Sequence, residues 1–216
     1  MTDEFATQMN NPCIDYDFDA RKRRRNGKPL DIAISKENLL LMKSVLDKHH
    51  VTFWLLWGTL LGAVREKNFI EYDTDTDLGC FIVDKEKLIA AIPDLANAGL
   101  ILIRRKYPDD LFTFMRNDEY IDIGLFHKGR DFFFRSFWEY QNNRIYGDHF
   151  KKFEKITFLG ERFKIPYNSR RLFRKWYGKG WQKPQKDCPA DAAPFSERLV
   201  QKLFRLKQFL SNVTRK

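Results

Sequence analysis

Three aspartates spaced by two, Asp73, Asp75 and Asp77, stand in the run Ile70-Glu-Tyr-Asp-Thr-Asp-Thr-Asp-Leu-Gly79. On an extended backbone alternate residues share a face, so the three carboxylates point one way and Thr74 and Thr76 the other. Like charges placed so closely repel. A hard divalent cation, Mg²⁺ or Mn²⁺, removes that cost by taking carboxylate oxygens as ligands. A further acid, Asp122, stands alone among apolar neighbours in Tyr120-Ile-Asp-Ile-Gly-Leu-Phe126. A lone carboxylate there needs a partner or a ligand. If its strand lies beside that of Asp75 and Asp77, the three acids meet at the sheet's edge. Two would then hold a cation on phosphate oxygens, and the third would activate or orient an acceptor hydroxyl. That set answers the central difficulty of phosphoryl transfer, the charge that accumulates on phosphate oxygens.

The residues upstream fit the same chemistry. Gly58-Thr59 falls between a strand pattern and a helix pattern, where backbone N–H groups and the Thr59 hydroxyl are placed to hold a phosphate. Gly62 lies one turn later and admits close approach of a ligand. Arg65 offers a bidentate guanidinium. Taken singly these are ordinary: an acidic run is usually a solvated loop, a glycine a turn, an arginine a surface residue. No EF-hand glycine and glutamate follow the acidic run. Their order along the chain, with Asp122 beyond, makes them an active-site constellation.

Positioning them requires a mixed α+β order. A helix is expected over 36–48, capped by Ser35, with Leu39, Met42, Val45 and Leu46 as its buried stripe. A strand over 52–57 precedes a helix over 60–65, and a second strand spans 75–83. A helix over 85–98 carries Leu88, Ile92 and Leu95 at helical spacing, with Pro93 placed to distort it. Strands follow at 100–104, 111–115 and 120–126. A hairpin over 156–165 turns at Gly160-Glu161, a helix covers 169–177, and a last helix over 195–212 aligns Leu199, Leu203, Leu206 and Leu210. Residues 1–31, which include Arg21-Lys22-Arg23-Arg24-Arg25, read as a basic arm, and 32–216 as one domain with a basic helical C-terminal part.

Composition bounds the partners. The chain has 216 residues, 39 Lys+Arg against 29 Asp+Glu, and therefore a formal charge of +10. That favours anionic partners without choosing among them. Cys13, Cys80 and Cys188 are too few and scattered for a disulfide framework, which fits a reducing compartment. Cys80 reads as buried beside the acidic strand rather than nucleophilic. His127 follows Asp122 closely enough to be a minor site candidate. The first eleven residues lack the apolar stretch of a signal peptide, and no stretch is apolar enough to span a bilayer. The expected location is cytoplasmic, with peripheral contact at the inner face of the membrane.

The run Trp54-Leu-Leu-Trp-Gly58-Thr59-Leu60-Leu61-Gly62-Ala-Val-Arg65, followed by Phe69-Ile70-Glu-Tyr-Asp73-Thr-Asp75-Thr-Asp77, resembles the LicD family of phosphocholine transferases, which includes the fukutin and fukutin-related proteins. Ile121-Asp122-Ile123 matches the family's later acid between apolar residues. Ile165-Pro166, Leu172, Tyr177-Gly178 and Trp181, with Pro184 beyond, resemble its carboxy-terminal element. The resemblance covers about residues 36–185. It implies a nucleotidyltransferase-like fold, a small mixed β-sheet flanked by helices. It also implies that Asp75, Asp77 and Asp122 are the metal-binding and catalytic acids. Gly58 and Thr59 match the phosphate-holding turn, and Asp73 the acid often found before the pair. Gly124 departs from the pattern, standing where an aromatic is common. The implied reaction moves a phosphorylated alcohol, phosphocholine or a polyol phosphate, from CDP-choline or a CDP-polyol to a hydroxyl of a glycan or lipid-linked glycan, releasing CMP with Mg²⁺ or Mn²⁺.

Two other classes compete. One keeps the fold but transfers a nucleotide to RNA, protein or a small molecule, and would release pyrophosphate. The other is a silent nucleic-acid-binding module using the basic arm and the cation-rich stretch 170–186. It predicts salt-sensitive binding but gives no reason for converging acids, so nucleic acid is disfavoured as a partner.

Overall fold

The computed structural model describes residues 14–15, 28–106, 110–140 and 143–184. The chain divides into two compact units, Met1–Tyr167 and Asn168–Lys216. The Arg21–Arg25 cluster and the expected helix over 195–212 lie outside the described residues.

In the first unit, helix α1 (Ile32–Lys48) opens one turn earlier than its apolar spacing indicates. Its cap is Asp31, not Ser35: the Asp31 carboxylate accepts from the N–H groups of Ala33 (3.0 Å) and Ile34 (3.1 Å). Ser35 is buried in the first turn, with its hydroxyl on Glu119 at 3.4 Å. Leu39, Met42 and Leu46 are fully buried, as the stripe requires. Asp31→Ala is expected to cost about 1 kcal/mol in urea unfolding, the usual loss for an N-cap carboxylate.

Strand β2 (Phe53–Leu55), helix α2 (Trp57–Arg65) and strand β3 (Thr76–Phe81) follow, then a short 3₁₀ turn and helix α3 (Lys85–Asn97). Helix α3 passes through Pro93 and buries Leu88, Ile92 and Leu95. Strands β4 (Ile101–Lys106), β5 (Leu111–Arg116) and β6 (Glu119–Arg130) come next. The two-residue link between β5 and β6, Asn117-Asp118, has φ of +53° and +60°, the geometry of a type I′ hairpin. Strands β7 (Ser136–Tyr140) and β8 (Asn143–Tyr146) extend the far end of β6. With β1 (Ile14–Asp15), these eight strands form one sheet in the order β1-β4-β5-β6-β3-β2, with β7 on β6 and β8 on β7.

Within this sheet β3 and β6 run parallel and the other pairs antiparallel. Alternation puts Asp77, Gly79 and Phe81 on one face with Asp122, Gly124 and Phe126, their register partners. Leu78, Cys80, Ile121, Ile123 and Leu125, all buried, line the other face. Among the described residues no helix is long and apolar enough to cross a membrane.

Strands β9 (Phe153–Phe158) and β10 (Glu161–Pro166) make a separate hairpin. Its turn residues are Leu159 and Gly160, at φ +54° and +87°, one position earlier than the Gly-Glu pair suggests. Both need a left-handed backbone, which glycine supplies at no steric cost. Lys155 stands directly opposite Lys164 in this hairpin, and Lys43 and Arg162 line the same cavity of about 270 Å³. Lys155→Thr is therefore expected to raise stability by up to about 1 kcal/mol by removing a like-charge cross-strand pair.

In the second unit, helix α4 (Ser169–Tyr177) ends at Gly178, whose φ is +78°. Phe173 packs its ring 4.8 Å from that of Trp181 and 6.3 Å from that of Tyr177.

Candidate active site

The site grows from the start of two neighbouring strands. Asp77 is the second residue of β3, and its register partner across the parallel ladder is Asp122 on β6. Asp75 immediately precedes β3. One carboxylate oxygen from each of Asp75, Asp77 and Asp122 lies within 4.8 Å of the others, and all three side chains are half-buried. Asp75 and Asp77 of the spaced run thus converge with Asp122, the lone acid among apolar neighbours.

Their charges interact at that range. Burial first, then the charges of Asp75, Asp122 and Asp73, push the Asp77 carboxyl well above the usual carboxylate range. Asp122 is held from the side by β4 and β5. Arg104 donates from Nη2 to both its oxygens (3.1 and 3.3 Å), and the Thr113 hydroxyl donates to Oδ1 at 2.5 Å. Arg104 Nε also reaches Thr113 Oγ1 at 2.9 Å, so the three side chains form one bracket. Sequence reasoning missed this bracket. Its signal was Thr113, a polar residue at the centre of the apolar run Leu-Phe-Thr-Phe-Met, which falls opposite Asp122 once β5 and β6 are paired.

The turn before α2 is built around the same strands. The Thr59 hydroxyl accepts from the Asp77 backbone N–H at 2.9 Å, tying the first turn of α2 to the start of β3. Asp73 does not join the triad. Its carboxylate lies against Gly58, where any Cβ would overlap Oδ2. An acid at the first turn of a helix interacts well with the helix dipole. Asp73 also anchors the chain, accepting the Leu30 N–H on its backbone oxygen at 2.8 Å.

Gly62 faces the chain itself: a Cβ there would sit 2.6 Å from Asn68 O and 3.1 Å from Ile70 N. Its missing side chain lets the Asn68–Ile70 turn close on α2. Arg65 donates from Nε (3.0 Å) and Nη2 (2.5 Å) to Oε1 of Glu66, so its fork is engaged by a carboxylate at the end of its own helix.

Beneath the acids lies an aromatic floor. Trp54, fully buried, lies over Gly79, and the Tyr140 ring lies over Gly124 with its atoms 2.7–2.9 Å from where a Cβ would stand. Tyr140 thus supplies, from β7, an aromatic where the sequence has a glycine; the departure at Gly124 was the signal for it. Burial, then the charges of Asp122, Asp77 and Asp110, push the Tyr140 hydroxyl up. Trp54 packs 4.7 Å from Phe81, 5.1 Å from Phe150, 5.2 Å from Phe153 and 5.4 Å from Phe126.

Two other residues fall away from the chemistry. Cys80 is completely buried on the opposite face, and burial, then the Asp84 charge, push its thiol to about 12. His127 lies five residues beyond Asp122 on β6, so by alternation it faces the other way about 17 Å along the strand.

Three close carboxylates of oxygen-only donor type, two on paired strands and one just before β3, suit a hard divalent cation. A mixed sheet carrying such a triad beside a strand–glycine–helix turn is a nucleotidyltransferase-like fold. The nucleotidyltransferase-domain model of the LicD/FKTN/FKRP family matches residues 50–168, more than half of the chain, and the chain belongs to that family. It is 33% identical over 159 residues to the ribitol-5-phosphate transferase FKTN of Macaca fascicularis, covering 70% of this chain and 34% of that protein. Identity to Homo sapiens FKTN is the same over the same length. The ribitol 5-phosphate transferase FKRP of Mus musculus is 25% identical over 166 residues, 70% of this chain and 33% of that protein. The chain spans about one third of the length of these curated relatives. Among solved structures, it is similar to the lincosamide antibiotic adenylyltransferase LnuA with lincomycin bound. That match has a TM-score of 0.45 at 14% identity, over 63% of this chain and 83% of that one. The solution structure of ANT(2″)-Ia matches with a TM-score of 0.47 at 12% identity, over 85% and 98%.

Proposed function

We propose that this protein transfers a phosphorylated alcohol from a CDP-activated donor to a hydroxyl of a glycan or lipid-linked glycan and releases CMP. The observation that carries the reading is the convergence within 4.8 Å of Asp75, just before β3, with Asp77 and Asp122 on the paired strands β3 and β6. Its support from kinship is that FKTN and FKRP are named ribitol-5-phosphate and ribitol 5-phosphate transferases. Mg²⁺ or Mn²⁺ bound by the three acids would neutralise charge on the phosphate oxygens and on the departing CMP.

In this reading the chain's own residues do the positioning. Arg104 and Thr113 fix the Asp122 carboxylate, and Thr59 fixes the backbone of Asp77. The acceptor oxygen forms a bond to the phosphorus that carries the alcohol, and the bond from that phosphorus to the CMP oxygen breaks. The acceptor proton passes to a carboxylate of the triad. Gly58 and Asp73, at the first turn of α2, form the donor side in this reading, while Thr59, Gly62 and Arg65 hold that turn in place through Asp77 N–H, the Asn68–Ile70 turn and Glu66.

The test is CMP release from CDP-choline, CDP-ethanolamine, CDP-glycerol and CDP-ribitol, with Mg²⁺ or Mn²⁺ and with EDTA, with and without a glycan extract. Cation-dependent CMP from one donor, accelerated by extract, is the expected result. Pyrophosphate from a nucleoside triphosphate instead would make the protein a nucleotidyltransferase.

A further inference from the structure

Phe132, Phe133 and Phe134 are 91%, 72% and 82% exposed. They sit consecutively at the tip of the hairpin joining β6 to β7. Three adjacent exposed phenylalanines are costly to leave in water, and exposed apolar clusters of this kind mark interaction sites.

The tip holds them firmly. The Asp131 carboxylate accepts from the backbone N–H of Phe133 (3.0 Å) and Arg135 (2.9 Å) and from Arg135 Nε (2.8 Å). Phe134 N–H closes on Asp131 O at 2.9 Å. Phe134 has φ +58°, a left-handed conformation that a bulky residue adopts at a conformational cost. Phe132 and Phe133 meet edge to face at 5.5 Å. The fold therefore spends strain and hydrogen bonds on displaying aromatic rings.

Cations surround the tip. Arg135 stacks over Phe133 (5.6 Å) and over Tyr146 (5.0 Å), and Arg130 is exposed where β6 ends. The acid of the tip, Asp131, is held by Arg135. The tip is a loop of five residues, Asp131 to Arg135, far smaller than the broad patch of a stable protein interface. Phenylalanine flanked by arginine, with a half-exposed tyrosine behind, is the chemistry of the lipid headgroup region, and the cations match an anionic leaflet.

We infer that the Phe132–Phe134 tip inserts into the headgroup region of a bilayer containing anionic phospholipid. Asp122 lies eight residues before the end of β6 at Arg130, so up to about 27 Å of strand separates the acids from the base of the inserted tip. If the proposed transfer reaction holds, that separation favours an acceptor projecting from the membrane, such as a lipid-linked glycan, over a lipid headgroup itself.

Flotation of the full chain with phosphatidylcholine vesicles and with mixed phosphatidylcholine–phosphatidylglycerol vesicles tests this. The protein should float with the mixed vesicles. Replacing all three phenylalanines by serine should reduce that binding by about tenfold or more. Arg130→Gln should reduce it about fivefold on the anionic vesicles alone. Both variants should keep the parent melting temperature, and both should release CMP with a water-soluble acceptor at the parent rate. A failure of CMP release in the parent protein would strike the transfer reading and leave the flotation result standing. Equal flotation of the parent and the triple-serine variant, or no flotation of either, overturns the membrane assignment. So does a tip whose removal only abolishes self-association in sedimentation, since the occupant would then be a second copy of this chain.

Discussion

Asp77→Asn is expected to lower CMP release by about three orders of magnitude, and in EDTA to raise the melting temperature rather than lower it. Asparagine keeps the shape of aspartate, so the register of β3 on β6 and the Thr59 bond to the backbone N–H persist. What goes is one negative charge from a half-buried cluster in which burial, Asp75, Asp122 and Asp73 all oppose ionisation. Relief of that opposition should add about 3 °C in the absence of cation. With Mg²⁺ or Mn²⁺ present the order should reverse, because ligand binding to the native state stabilises the parent and the variant has lost a ligand. Calorimetry with and without cation, beside the CMP assay, separates the outcomes. A variant less stable than the parent in EDTA would make Asp77 a structural residue, and full activity would remove it from the chemistry.

The second large effect belongs to Gly79. A methyl group there would overlap the Trp54 indole, which is fully buried and pinned by four aromatic neighbours. With no direction in which to yield, the indole must leave its rotamer or β2 must move off β3. Gly79→Ala should therefore cost about 3 kcal/mol, at the upper end for overpacking. It should also impair activity, since Gly79 is two residues from Asp77 on the same face. Trp54→Phe offers a smaller ring and removes an indole N–H that has no hydrogen-bond partner among the described residues. Combining the two should recover part of the loss, giving a favourable coupling in a double-mutant cycle by urea unfolding. Strictly additive losses would show that the clash lies elsewhere.

Much of the site was legible because it depends on local patterns. Acids at alternating positions announce one strand face, and Asp122 between isoleucines announces another. The strand–Gly58–helix order fixes which end of the sheet they occupy. What stayed hidden depends on register between distant segments. Thr113 stands out only as a polar residue in an apolar run, and nothing near Arg104 in sequence indicates that β4 will bring it beside Asp122. Tyr140 takes the place of a side chain at Gly124 from sixteen residues away. Ser35 satisfies the propensity rule for a cap, yet Asp31 prevails because it reaches two free N–H groups and its own N–H bonds to Glu119 at 3.0 Å. The hairpin turn was misplaced by one residue because Leu159 gives no sign of its left-handed backbone.

Asp77 and Asp122 are 45 residues apart in the chain, and they face one another only through the parallel ladder of β3 on β6. Helix α3 and strands β4 and β5 must be threaded between them. Closing such a long connection costs chain entropy before any contact returns it, so pairings of this kind form late in folding. A chain in which β3 and β6 are not yet paired therefore lacks the assembled three-acid site. A bound cation then acts as a latch rather than a nucleus: it should lengthen the lifetime of the folded protein while leaving the rate of refolding nearly unchanged.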